Sequence, residues 1–141
     1  MNYFLYGPDT YRSRKKLNEI VDAFVARAGA VADVHRFDAE EEGLGRLKGV
    51  LETDSLFVSK KIVVVEHALS DTDDFESVVP VIKKNHDAKD SMLLLWDRGL
   101  SAGALKHYKE IEKYTTKTQE FALLQGEPLR RWISVVLPRN L

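Results

Sequence analysis

The sequence predicts an α/β fold: a mostly parallel five-stranded sheet with helices on both faces. Two observations carry that prediction. Five short runs of strand character alternate along the chain with segments whose apolar residues recur at helical spacing, the order that βαβ units produce. The third run, Ile62-Val63-Val64-Val65, is continuously β-branched, as strands buried on both faces are.

Asn2 to Tyr6 is an aromatic-rich apolar run cut by Gly7-Pro8, a strand followed by a turn. Asp9 or Thr10 then caps a helix. Leu17, Ile20, Val21, Phe24, Val25 and Ala28 form one apolar stripe along it, and Gly29 ends it. Val31 to Phe37 reads as the second strand. Leu44, Leu47 and Leu51 mark a short helix led by Glu40-Glu41-Glu42, acids that favour a helix N-terminus. Lys61 to Glu66 is the third strand. Phe75, Val78, Val79 and Ile82 give the next helix, which Pro80 should kink. Ser91 to Trp96 is a fourth strand, Leu100 to Tyr114 a helix, and Thr118 to Leu123 a fifth strand. A last helix starts near Glu127, with Pro128 in its first turn.

The chain has 141 residues, 44% of them apolar and 30% charged. That length suits a single domain, residues 1–141, able to bury roughly 70% of its unfolded surface. Lys and Arg total 21 against 22 Asp and Glu, a net charge of −1. This balance excludes a strongly basic nucleic-acid module and a disordered polyelectrolyte. Without cysteine there is no disulfide, zinc ribbon or thiol chemistry. The amino terminus lacks a basic region, and no apolar run nears the ~20 residues of a membrane span. The expectation is a cytoplasmic domain that does not contact membrane.

Candidate chemistry is sparse. A phosphate-binding loop beginning at Gly7 would need glycine, lysine and a hydroxyl residue where this chain has Arg12, Ser13 and Arg14. Arg12 and Arg14 are then either a solvated basic first turn or an anion contact at the helix N-terminus. After the third strand stands Glu66-His67, one acid without a second, which gives little support for phosphoryl transfer and reads as a surface residue at a strand end. Gly43, Gly45 and Gly49 have the wrong spacing for a dinucleotide fingerprint. His35, His67, His86 and His107 show no metal spacing and read as surface or strand-end residues. The expectation is no catalytic residue, no metal and no cofactor.

One connection stands out. Leu56-Phe57 sits within the polar stretch Glu52 to Lys61. The pair is either core or an exposed hydrophobic plug that fills a partner's pocket.

The chain resembles the amino-terminal domain of the delta subunit of bacterial DNA polymerase III, the clamp-opening subunit of the clamp loader. The matching segments are Tyr3 to Tyr11, Arg36-Phe37-Asp38, Ser55 to Glu66, and Leu129-Arg130-Arg131-Trp132-Ile133. The resemblance implies an AAA+-type domain without a functional P-loop, with Gly7, Pro8, Asp9 and Thr10 as the vestigial phosphate loop. It implies that Leu56 and Phe57 insert into the sliding clamp (the beta subunit), with Ser55 and Val58 as flanking contacts. It implies that the domain helps open the ring for loading onto primed DNA, touching DNA only indirectly. Delta proteins continue into a lid and a collar domain, both absent from this chain, so stable assembly with the other clamp-loader subunits is not expected of it. Two alternatives stand beside this reading: a nucleotide-binding α/β enzyme with an atypical loop, and a receiver-like domain.

Overall fold

The structure, a computed structural model, describes residues 1–52, 60–70, 75–124 and 130–131. It is α/β, as the alternation predicts. The elements run β1 (Asn2–Tyr6), α1 (Thr10–Ala28), β2 (Ala32–Asp38), α2 (Ala39–Glu42), α3 (Gly45–Glu52), β3 (Lys60–Glu66), α4 (Phe75–His86), β4 (Ser91–Asp97), α5 (Ala102–Ile111) and β5 (Lys117–Glu120). The strands form one sheet in the order β2-β3-β4-β1-β5, and every neighbouring pair is parallel. That order is not the 2-1-3-4-5 arrangement of flavodoxin-like receiver domains, in which β1 lies beside β2 and β3. The receiver reading is therefore set aside.

Alternation along the central strands sends side chains to two cores. Phe4, Val63, Val65, Leu93 and Leu95 pack with Leu47 of α3, with Phe75, Val78 and Ile82 of α4, and with Ala104 and Ile111 of α5. Leu5, Ile62, Val64, Leu94 and Trp96 face the other way, against Leu17 of α1 with Ile20, Val21 and Phe24 half-buried beside it. The apolar stripe of α1 thus meets the sheet, but Val25 remains exposed. At 19 residues the helix is about 28 Å long, and a seven-residue strand spans only about 23 Å.

Three boundaries differ from the sequence reading. The acidic run and the leucine stripe form two helices, because Gly43 at φ 72° ends α2. The fifth strand stops at Glu120, after which Phe121 turns inward to pack beside Leu5 while Leu123 points out to solvent. The helix after β4 begins behind the cap Ser101, whose hydroxyl accepts the Ala104 N–H, and its last turn, Glu112–Tyr114, tightens to a 3₁₀ helix. Pro80 lies inside α4 on an exposed face. Arg130 and Arg131 are helical, and the rest of the final predicted helix lies outside the described residues. Among the described residues no helix is long and apolar enough to cross a membrane.

Asn2 is fully buried despite opening an apolar strand. Its amide donates to the carbonyls of Ile82 and Tyr114, each at 2.8 Å, and its carbonyl accepts from Asn85 Nδ2 at 2.8 Å. His107 is also a core residue, 6% exposed; the surface expectation fails for it. Its Nδ1 donates to the Leu69 carbonyl at 2.9 Å and its ring stacks on Phe75 at 4.3 Å. A position facing inward from α5 buries the ring, and that carbonyl satisfies its nitrogen.

Candidate functional site

The carboxyl ends of the strands, where open α/β sheets place their ligands, carry two groups of polar side chains. The first surrounds the turn between β1 and α1. Gly7 has φ 132°, and a Cβ there would stand 2.4 Å from the Phe121 carbonyl oxygen, so only glycine fits. Tyr6 O accepts from Phe121 N and Asp9 N donates to Phe121 O, at 2.8 and 3.0 Å. These bonds tie the turn to the end of β5.

A phosphate loop leaves its backbone N–H groups converging on an anion. Here Asp9 caps α1, accepting the Arg12 N–H at 3.0 Å, so a carboxylate already faces the helix N-terminus. Arg12 folds back toward Asp9 at 3.5 Å, donates to Ala122 O at 3.3 Å and lies 5.6 Å from the Phe121 ring centroid. Ser13, at the lysine's place, is buried and accepts the Trp96 indole N–H at 2.9 Å. Arg14, at the hydroxyl's place, pairs with Glu66 at 2.5 Å and lies 4.5 Å from the Trp96 ring centroid. Neither arginine is a freely solvated charge. Glu66 is an ion-pair partner with a side chain only 16% exposed, because α1 passes close enough for Arg14 to reach the end of β3; the surface reading of this acid is corrected.

The second group lies where β2, β3 and β4 end. Parallel pairing sets Asp38 opposite Glu66, which brings His67, the next residue, beside Asp38. His67 Nδ1 donates to Asp38 Oδ1 at 2.9 Å and stands 3.6 Å from Glu40 Oε2. Asp38 also caps α2 by accepting the Glu40 N–H, and Arg98 donates to Glu40 Oε1 at 2.9 Å. Burial opposes the charge on Asp38, but the hydrogen bonds from His67 and the Glu40 N–H, with the charges of His67 and Arg98, outweigh it and hold this carboxyl below its ordinary value. Asp97, at the end of β4, is 1% exposed and accepts from Leu69 N at 3.1 Å and Ser70 Oγ at 2.9 Å. Burial pushes its carboxyl up to about 6, against the pull of those two donors. It lines an open cleft with Ser70, Arg98 and Ser101.

Gly7, Pro8 and Asp9 form the turn between β1 and α1, and Thr10 opens the helix. Ser55, Leu56, Phe57 and Val58 lie outside the described residues. Their flanks are described: Glu52 ends α3 and Lys60 opens β3, at the amino ends of the strands and so away from the Gly7 turn at their carboxyl ends, and there Lys61 Nζ donates to Val50 O at 2.7 Å. The grouping of Asp38, Glu40, His67 and Asp97 was not visible in sequence. Its four members come from three strand ends, and only the strand order makes them neighbours; the signal available was that each stands just at or beyond an apolar run.

No family model and no curated protein matches this chain. Solved structures do resemble it. The Aeropyrum pernix ORC2 protein, in ADPNP–ADP complexes, superposes with a TM-score of 0.60 at 13% identity, over 94% of this chain and 44% of that one. The Aeropyrum pernix ORC1 protein in complex with DNA gives 0.60 at 10% identity, over 98% and 44%. A DNA polymerase III gamma subunit-related protein from Thermotoga maritima gives 0.55 at 13% identity, over 100% and 48%. The chain spans less than half the length of each of these structures, and what they share with it is the fold, a parallel sheet flanked by helices.

Proposed function

We propose that this chain is the clamp-binding, non-catalytic AAA+-like domain of a clamp loader delta subunit, acting on the sliding clamp through Leu56 and Phe57. The observation that carries the reading is the internal engagement of the phosphate turn within an AAA+-like fold. Asp9, Arg12, Ser13 and Arg14 are all committed to partners inside the chain. A domain that keeps this fold with its phosphate turn closed is suited to binding a partner rather than hydrolysing nucleotide. The segment Ser55 to Glu66 supplies the resemblance to delta, and the gamma-related neighbour belongs to the same class of replication protein. An aliphatic–aromatic pair seated in a desolvated pocket is a typical hot spot. It drives ring opening to the extent that the domain binds the open clamp better than the closed one.

The test is binding of the chain to the sliding clamp of its own organism, wild type against Leu56→Ala/Phe57→Ala. Truncation should weaken binding by at least ~2 kcal/mol, about 30-fold, with the melting temperature preserved. Absence of wild-type binding, or a double variant that binds equally well, would refute the assignment. A double variant that fails to fold would return both residues to the core.

A further inference from the structure

We infer that Asp38, Glu40 and His67 form a binding site for a divalent transition-metal ion, with Zn²⁺ the best chemical match, at the carboxyl ends of β2 and β3. The three donors lie within 4.8 Å of one another. His67 Nδ1 is 2.9 Å from Asp38 Oδ1 and 3.6 Å from Glu40 Oε2. Two donors each about 2.1 Å from one ion, at octahedral to tetrahedral angles, stand roughly 3.0–3.4 Å apart. The two distances from His67 flank that range, so shifts of a few tenths of an ångström would let the donors share an ion, which would take the place of the proton now held between His67 and Asp38.

Charge favours occupancy. Asp38 and Glu40 bring two negative charges, and Arg98 answers with one, through Glu40 Oε1. Glu40 Oε2, the oxygen turned toward His67, is left for the ion. His67 is held in place from several sides. Its N–H donates to Trp96 O at 2.8 Å, its backbone takes φ 61°, and its ring stands edge-on to Trp96 at 5.2 Å. His67 is 8% exposed, and its Nε2 is buried without a hydrogen-bond partner, so the ring has little freedom to turn away.

The donor set selects the ion. Magnesium and calcium take oxygen ligands, whereas an imidazole with two carboxylates suits zinc and its first-row neighbours. Three protein ligands leave at least one coordination position for water or a partner's side chain.

Calorimetric titration of the full chain, stripped with a chelator, with zinc chloride in millimolar magnesium tests this. One ion per chain should bind, and the melting temperature should rise with zinc concentration. Asp38→Asn, which keeps a residue able to cap α2, and Glu40→Gln should each weaken uptake at least ~10-fold, read at a temperature where the metal-free variant is folded. His67→Asn, a residue tolerant of positive φ, should weaken uptake likewise, and Co²⁺ in the wild type should show visible ligand-field bands that this variant lacks. Zinc uptake by a folded wild type that is unchanged in all three variants would overturn the site, as would no uptake at millimolar zinc.

Discussion

Asp97 is 1% exposed, and burial retains its proton to about pH 6 although Leu69 and Ser70 both donate to it. Because the folded state holds this proton more tightly than the unfolded chain, the contribution of Asp97 is greatest at acid pH. It falls as pH rises from 3.8 through about 6. Asp97→Asn offers Oδ1 to Leu69 and removes the charge. It should stabilise the protein at pH 7 by on the order of 2 kcal/mol, with the gain over wild type shrinking as pH falls through that window. Urea denaturation at a series of pH values reads the difference; a gain independent of pH would count against the buried charge. Asp38 has the opposite sign, since its lowered pKa gives stability lost on acidification. At Gly7 the constraint is steric. Gly7→Ala drives a Cβ into the Phe121 carbonyl and should cost more than about 2 kcal/mol in chemical denaturation. Asn2→Leu removes the side-chain donor from the carbonyls of Ile82 and Tyr114 and the shortest of the Asn85 amide's three contacts and should cost about 3 kcal/mol by the same measurement.

At the scale of elements, α1 is fastened to the sheet at its first turn. Asp9→Ala removes the cap and should cost about 1 kcal/mol. Arg14 bridges α1 to the end of β3 with a side chain 43% exposed, so a double-mutant cycle with Glu66 should return a coupling of about 1 kcal/mol or less that declines with added salt. The strands and most helices were legible beforehand, because Ile62 to Val65 and the Leu17–Ile20–Phe24 stripe answer to burial alone. The division of α2 from α3 was not, since Gly43 reads equally as a helix interior weak point or as a left-handed stop. The end of β5 is not legible in the sequence, because the inward turn at Phe121 depends on the approach of Gly7, 114 residues earlier in the chain.

For the molecule as a whole, the closed turn beside β1 predicts that millimolar ATP leaves the melting temperature unchanged, whereas a nucleotide-binding enzyme would melt higher. Which candidate site residues could be anticipated follows the same division between local and distant. Gly7 to Thr10 are contiguous and were recognised together. Asp38, Glu40, His67 and Asp97 are assembled by the parallel order of the sheet and had no shared pattern to reveal them. That order also sets a timetable for assembly. β1 is made first, yet its partners are β4 and β5, and Tyr3 pairs with Leu94 and Lys117. On the ribosome this aromatic strand must wait until most of the chain has been synthesised, while β2 and β3, closer in sequence, can pair earlier. Long-range parallel pairing of this kind folds slowly and leaves apolar surface uncovered meanwhile, so nascent chains halted before residue 91 should be the ones that chaperones retain.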